Sequence, residues 1–401
     1  MVDESLARIS NTLFNVAFLA YIVAMVGYFF RMAFTRVTAE GVLAGTRAGR
    51  NIGLAATALT AAGAAVHTGS VVLRGMAAGG RVPWANMYEY SSLMALVAVV
   101  VGLLVVQRRL GMGHLMGFVL ALAVLSMTTA LLLFTEAGPV VPALNSYWIN
   151  IHTSGAMTAS SIFIVGFAAT ALYLVKDTAE RRVAASSRYP GGTVGAAHAP
   201  VTEPARRGTD AAAQAGSEGR PEGYEPEGYE RDAGVELRTA SALAQREVLS
   251  PVLFPVVPFA VIGLFVLAVW RAPVAAMIAA SAAALLGAAV WYSVPYLPPA
   301  AQLDNLAYRV IAFGFPIWTF AVMAGAIWAE EAWGRYWGWD PKETGSFFTW
   351  TLYASYLHAR STRGWRGRRA AWVAVVSFVA LMVTYYMVNL WVVGLHSYAG
   401  V

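Results

Sequence analysis

Six histidines and thirteen tryptophans carry most of the chemistry open to this chain of 401 residues, which has no cysteine. Five of the tryptophans fall in residues 328–350, WAEEAWGRYWGWDPKETGSFFTW, and Trp333, Trp337 and Trp339 lie within seven residues of one another. An indole needs an apolar partner for its ring and an acceptor for its N–H. A glycine-spaced run of them beside Glu330, Glu331, Asp340 and Glu343 therefore describes an aromatic shelf with a charged rim. A bilayer surface also concentrates Trp, but over many helix ends rather than in one run. His152 follows the aromatic stretch SYWIN, and His396 lies in GLHSYAG near the end of the chain. Imidazole is a common axial ligand of haem iron, with its second nitrogen oriented by a carbonyl or carboxylate. Two histidines over an aromatic shelf describe a bis-histidine haem site. Without cysteine, the chain has no thiolate metal site, disulfide or thiol redox chemistry of its own.

The elements that must position these residues are membrane helices. The chain is 58% hydrophobic and only 12% charged, which places it in the membrane class. Apolar runs of spanning length occur at about 12–33, 52–73, 91–107, 114–135, 153–175, 253–270, 272–293, 306–329, 346–360 and 370–394. In lipid each must be a helix, because every backbone polar group needs a partner. The expected fold is an all-α integral membrane protein of about ten transmembrane helices. The net charge of +6 does not imply nucleic-acid binding, because the arginines cluster in short loops: Arg31, Arg36, Arg47 and Arg50; Arg108 and Arg109; and Arg360 to Arg369. With ten spans all three clusters fall on one side, the cytoplasm. Both termini and the Trp-rich loop then lie on the extracytoplasmic face. Residues 1–175 hold the first five spans and 250–401 the last five, with the Trp-rich loop. Residues 176–249 have no apolar run, repeat PEGYE in tandem and read as a disordered cytoplasmic linker containing His198. The start of the chain lacks a basic n-region, so no cleavable signal peptide is expected.

Two further outer loops, 81–92 (RVPWANMYEYSS) and 138–150 (GPVVPALNSYWIN), mix aromatic and hydrogen-bonding residues, as loops over a site or at a membrane interface would. Arg81, Arg335 and Lys342 are candidate partners for haem propionates through charge-assisted bonds. His358 lies near the cytoplasmic end of the ninth span, about 28 Å below Trp339 at the helical rise. An ionisable residue inside a span is a functional candidate. His67, in the outer half of the second span, is read either as a ligand or as a packed helix histidine. His114, beside Arg108 and Arg109, is read either as a ligand or as a topology determinant.

WGRYWGWDPKETGSF resembles the WWD signature of the haem-handling proteins, WGxxWxWDPKE. LDNLAYRVIAFGFP before it, and YLHAR and VNLWVVGLHSYAG after it, agree, as do VPWANMYEYSS and SYWINIHTSGAM upstream. The chain resembles the CcsA/ResC haem-handling subunit of system II cytochrome c biogenesis, with matching segments from His67 to Gly400. The resemblance implies a plasma-membrane protein that carries haem b to the outer face and joins it to apocytochrome c. The family's two outer histidines correspond to His152 and His396, and its inner, transmembrane histidine to His358. The WWD loop, with Trp333, Trp337, Trp339 and Asp340, would hold the haem. The implied partners are a ResB-like membrane subunit and an apocytochrome whose CxxCH cysteines are reduced. A haem exporter without ligase activity and a membrane electron carrier with two b-type haems are the competing functions. The long linker and the spans at 253–293 depart from the compact family pattern.

Overall fold

The computed structural model describes residues 2–37, 43–140, 144–185, 244–271, 273–362 and 364–396. Its regular structure is helical apart from one short antiparallel pair, β1 (Thr35–Val37) and β2 (Leu43–Gly45). The helices are α1 (Glu4–Ala33), α2 (Arg47–Ala77), α3 (Met87–Val101), α4 (Met116–Leu132), α5 (Tyr147–Ala185), α6 (Leu253–Trp270), α7 (Pro273–Ser293), α8 (Ala300–Trp333), α9 (Pro341–Thr362) and α10 (Arg368–Met382). π-helical stretches, Gly102–Arg109 and Val383–Val388, continue α3 and α10. Among the described residues eight helices are long and apolar enough to cross a membrane: α1 to α5, α7, α8 and α10. The chain is a multi-pass helical membrane protein.

The ten-span reading also needs α6 and α9. Both are helices: α6 is apolar along all 18 residues of Leu253–Trp270, while α9 carries Lys342, Glu343, His358 and Arg360. Two polar groups of α9 find partners on α8. Trp350 Nε1 donates to Thr319 Oγ1 at 2.9 Å and Arg360 Nη1 to Asp304 Oδ1 at 2.6 Å. Tyr353 stacks on Phe163 with ring centroids 4.0 Å apart.

Small residues set the central packing. A Cβ on Gly155 or Gly166 of α5 would meet Ala321 or Ile311 of α8 at 3.0 and 2.9 Å, and one on Gly314 of α8 would meet Phe163 at 2.9 Å. Helices in lipid approach closely where side chains are small, because packing rather than the hydrophobic effect drives their association. This approach seats the first turns of α5 against the last turns of α8, where the Trp-rich loop begins.

Hydrogen bonds sort the helix ends. The Asp3 N–H donates to Ala77 O at 3.0 Å, bringing the start of α1 to the end of α2. At the opposite end of α5 and α8 the Ala300 N–H donates to Glu180 Oε1, and Arg368 pairs with Asp177. These last contacts correct the expected linker boundary at 176. α5 runs on to Ala185, and Lys176 is buried, donating to Gln245 Oε1 and Val294 O at 2.7 and 2.9 Å. The charges there are absorbed by ion pairs and helix ends, so low hydrophobicity did not prevent order. The rest of the expected linker, 186–243 with the PEGYE repeat and His198, lies outside the described residues, as does Tyr398.

A buried charge cluster fixes the loop between α2 and α3. The Glu89 side chain is fully buried and takes Arg74 Nε at 3.0 Å and Arg81 Nη1 at 2.7 Å. It also accepts the Ala85 N–H at 3.0 Å. Breaking a buried ion pair by removing one partner costs about 3–5 kcal/mol, since a charge is left uncompensated. Glu89→Ala should therefore lower the thermal unfolding midpoint of the purified protein sharply, and Glu89→Gln less so. An unchanged midpoint in Glu89→Ala would mean that the cluster does not hold the loop.

Candidate functional site

A cavity of about 390 Å³ opens where loop 81–90, the first turns of α5, the last turns of α8, the Trp-rich loop and the end of α10 meet. His152 and His396 both line it, 244 residues apart in sequence.

His152 is held by the backbone of α8. Its Nδ1 lies 2.8 Å from Ala321 O. A carbonyl oxygen only accepts, so Nδ1 carries the proton and Nε2 the lone pair. The ring reaches that carbonyl because Gly325, one turn on, has no Cβ. A Cβ there would sit 2.5 Å from His152 Nδ1.

His396 is held by a carboxylate. Its Nδ1 lies 2.6 Å from Asp340 Oδ2, while Asp340 Oδ1 accepts the Leu395 N–H at 2.7 Å. Burial, followed by the Lys342 ammonium, pushes the imidazole down to about 4, against the opposing effect of Asp340. Burial works to raise the Asp340 carboxyl, but the Leu395 N–H and the His396 bond outweigh it and hold it below its ordinary value. At neutral pH the pair is thus a neutral imidazole donating Nδ1–H to a carboxylate, with the Nε2 lone pair suited to a metal. Both histidines present the same tautomer.

Glu343 shapes the loop that carries Asp340. Its Oε2 accepts the N–H groups of Gly338 and Asp340 at 2.8 and 3.1 Å, as the third residue of a helix reaches back in a capping box. Between them Trp339 adopts φ +58°, a left-handed conformation rare for a bulky side chain. The three tryptophans divide. Trp337 lines the cavity. Trp333 stands behind His396, edge-on with centroids 4.8 Å apart, and Trp328 flanks it at 5.7 Å. Trp339 is 64% exposed and packs edge-on against Trp337 and Phe347.

Comparison with known proteins now bears on the site. Residues 84–396 match the family described as Cytochrome C assembly protein. The chain belongs to that family. A protein of Gloeothece citriformis described as "Cytochrome c biogenesis protein CcsA" is 31% identical over 399 residues, 98% of each chain. Two more of the same description, from Gloeobacter violaceus and Trichormus variabilis, are 60% and 57% identical over 99 residues, 25% of this chain. Those matches span 29% and 28% of the two relatives' own lengths. The chain is a CcsA-type cytochrome c biogenesis protein by family, and the matched region contains His152, the Trp-rich loop and His396.

Several residues expected at the site of this family member stand elsewhere. His67 is 0% exposed and does not line the cavity. Its Nε2 lies 2.9 Å from Ser92 Oγ, its Nδ1 3.4 Å from Tyr21 OH, and Phe14 meets it edge-on. In this structure it is a packed helix histidine. Arg81 lines the cavity, but its guanidinium is committed to Glu89, Gly138 O and Val82 O. Arg335 is exposed, folds over Gly338 and does not line the cavity. Lys342 lines it, and its ammonium has no hydrogen-bond partner among the described residues. His358 is exposed on α9, away from the cavity. Sequence reasoning missed Gly325, Trp318, Tyr90 and Tyr385. Only Gly325 carried a sequence signal, as a glycine inside an apolar helix.

Gly325→Ala should behave as a His152 variant. Alanine favours a helix interior by about 1 kcal/mol over glycine, so the fold should persist. The new methyl group displaces the imidazole from the Ala321 carbonyl, and the His152 ring signals in an NMR spectrum should shift. An unaltered spectrum would remove the role assigned to the Ala321 carbonyl.

Proposed function

We propose that the protein binds haem b at the extracytoplasmic face of the plasma membrane and joins it covalently to apocytochrome c. The observation that carries this reading is the pair of imidazoles, His152 and His396, each with Nδ1 held by an acceptor and both lining one cavity with Trp337. Haem is the substrate. His152 and His396 ligate its iron, Trp337 meets the macrocycle, and Trp333 and Asp340 fix His396. Lys342 supplies a cation for a propionate. A thiol of the CxxCH motif adds across each vinyl group, sulfur bonding to one carbon and hydrogen to the other, so no oxidant is consumed. The CxxCH histidine then takes one axial position. The protein's share is positioning and control of the iron, while the reactivity belongs to haem and thiol.

The membrane arrangement we propose has ten passes, including α6 and α9, with the three arginine clusters cytoplasmic and both termini outside. The start of α1, the loop after α2, the Trp-rich loop and His396 then share one side. A ResB-like membrane subunit is the partner. His358 serves an inner haem site, and its exposure on α9 leaves it open to a ligand from that subunit. Residues 186–243 act as a cytoplasmic linker.

The test uses the full chain purified with its partner and a reporter apocytochrome. His152→Ala and His396→Ala should each lose the low-spin spectrum and cut thioether-linked product to background, while the membrane fold persists. If both variants keep a wild-type spectrum and still form product, the bis-histidine site is wrong. An exporter or a b-type electron carrier would yield a reporter whose haem is removed by denaturation.

A further inference from the structure

α8 and α9 run antiparallel, side by side, and a few contacts fix their register. Trp350 Nε1 donates to Thr319 Oγ1 at 2.9 Å, and its ring meets Phe315 at 5.7 Å. Arg360 donates to Asp304 Oδ1 at 2.6 Å and lies over the Tyr308 ring at 4.7 Å. Asp304, Tyr308, Phe315 and Thr319 thus mark the line of α8 that faces α9, and Trp350 and Arg360 the facing line of α9. Leu357, two turns beyond Trp350, falls on that second line. One residue past these lines, Asn305, Arg309, Pro316 and Phe320 are exposed on α8, and on α9 His358 and Ser361 are exposed and Thr351 is half-buried. One residue is a rotation of about 100°. Equal rotations along antiparallel helices, both starting from the shared interface, bring the two exposed lines to the same side of the pair.

On that side Arg309 and His358 stand at one level. Counting five residues on from Asp304 and ten back from Thr319 places Arg309 opposite residues 355–360 of α9, a stretch that includes His358. The axes of packed helices lie about 8–10 Å apart, so both side chains reach one small molecule laid across the pair. Both are also uncommitted. The Arg309 guanidinium has no hydrogen bond or ion pair among the described residues, whereas Arg360 is bound to Asp304. The His358 ring is exposed, and among the described residues its hydrogen bonds are those of its backbone. Nearer the cavity the same face turns apolar, with Phe313 68% and Phe320 55% exposed. Ionisable side chains inside a span are costly and mark functional sites. An imidazole ligates iron, and a guanidinium holds a carboxylate through two parallel bonds. We infer that Arg309 is the propionate-binding residue of the inner haem site, pairing with a propionate of the haem whose iron His358 ligates. That haem lies on the outward face of the α8/α9 pair, with Phe313 beside its apolar rim. This rests on the reading of His358 given above.

The experiment uses the full chain with its partner, carrying both His152→Ala and His396→Ala so that outer ligation does not contribute. Haem and haem dimethyl ester, which lacks the free carboxylates, are titrated, and the binding removed by His358→Ala is read as the inner site. That site should prefer haem to the ester by about tenfold or more, because bonds between charged partners are the stronger class. Arg309→Gln should cut the preference about tenfold by weakening haem alone, with the affinity for the ester unchanged. A preference unchanged by Arg309→Gln, or an equal loss for both porphyrins, would overturn the inference and leave Arg309 a membrane-surface arginine. If the glutamine variant does not accumulate, Arg309→Lys decides. An ammonium keeps the charge but not the paired bonds, so the preference should fall about threefold, and an unchanged preference overturns the inference. If His358→Ala removes no binding of either porphyrin, the inner-site reading itself fails and the inference falls with it.

Discussion

A neutral imidazole can offer one nitrogen to a metal only if the other holds the proton, and it holds its aim only if that proton is given to a fixed acceptor. Both histidines of the cavity meet this constraint, by different means. His152 gives its proton to a helix carbonyl, and His396 gives its own to a carboxylate. Much of the surrounding structure exists to place those two acceptors. The Ala321 carbonyl can be reached only because α5 and α8 approach at glycine and alanine and because Gly325 leaves the carbonyl uncovered. The Asp340 carboxylate faces the end of the chain because Glu343 ties back the loop that carries it.

The two acceptors also differ in what they can tune. A backbone carbonyl stays neutral and moves only with its helix. A carboxylate held ionised, as Asp340 is, strengthens the basicity of the imidazole it contacts. As ligands to haem iron in the proposed site the two histidines would be unequal, with His396 the more strongly donating. His396 sits on a short segment after α10, bonded through Leu395 and its own ring to Asp340, whereas His152 is built into a helix of 39 residues. In the proposed site the histidine on the long helix would be the one suited to remain, and the histidine on the segment after α10 the one an incoming histidine would displace.

The sequence made the helical class, the Trp-rich loop and the pair His152 and His396 that line the cavity legible, because each is a matter of residue type and spacing. What it left open turned on partners. Arg81 and Lys342 look alike as free cations in a loop, and only the fold reveals that Glu89 has claimed the first. His67 and His152 are both histidines in helices, and only packing separates a ring enclosed by Phe14, Tyr21 and Ser92 from one at a cavity wall. The boundary at 176 failed for the same reason: composition counts charges, but Lys176 and Asp177 are ordered by what they bond. Trp318 stood in an unremarkable apolar run, and its unused N–H is a property of the assembled bundle.

Trp339 carries backbone strain at the centre of the loop. A bulky residue at φ +58° stores on the order of 1–3 kcal/mol and survives only where the surroundings over-determine it. Here one Glu343 oxygen binds the N–H groups on either side of it, Thr344 Oγ1 donates to its carbonyl at 3.2 Å, and α9 begins at once behind it. A relaxed Trp339 would turn the peptide before Asp340 and swing the carboxylate away from His396. The strain is therefore coupled to ligand geometry through two bonds to a single carboxylate. Glycine at 339 would relieve the strain, but it would also remove the ring that braces Trp337 from outside the cavity. The loop keeps a tryptophan in a glycine's conformation because it needs both the turn and the ring.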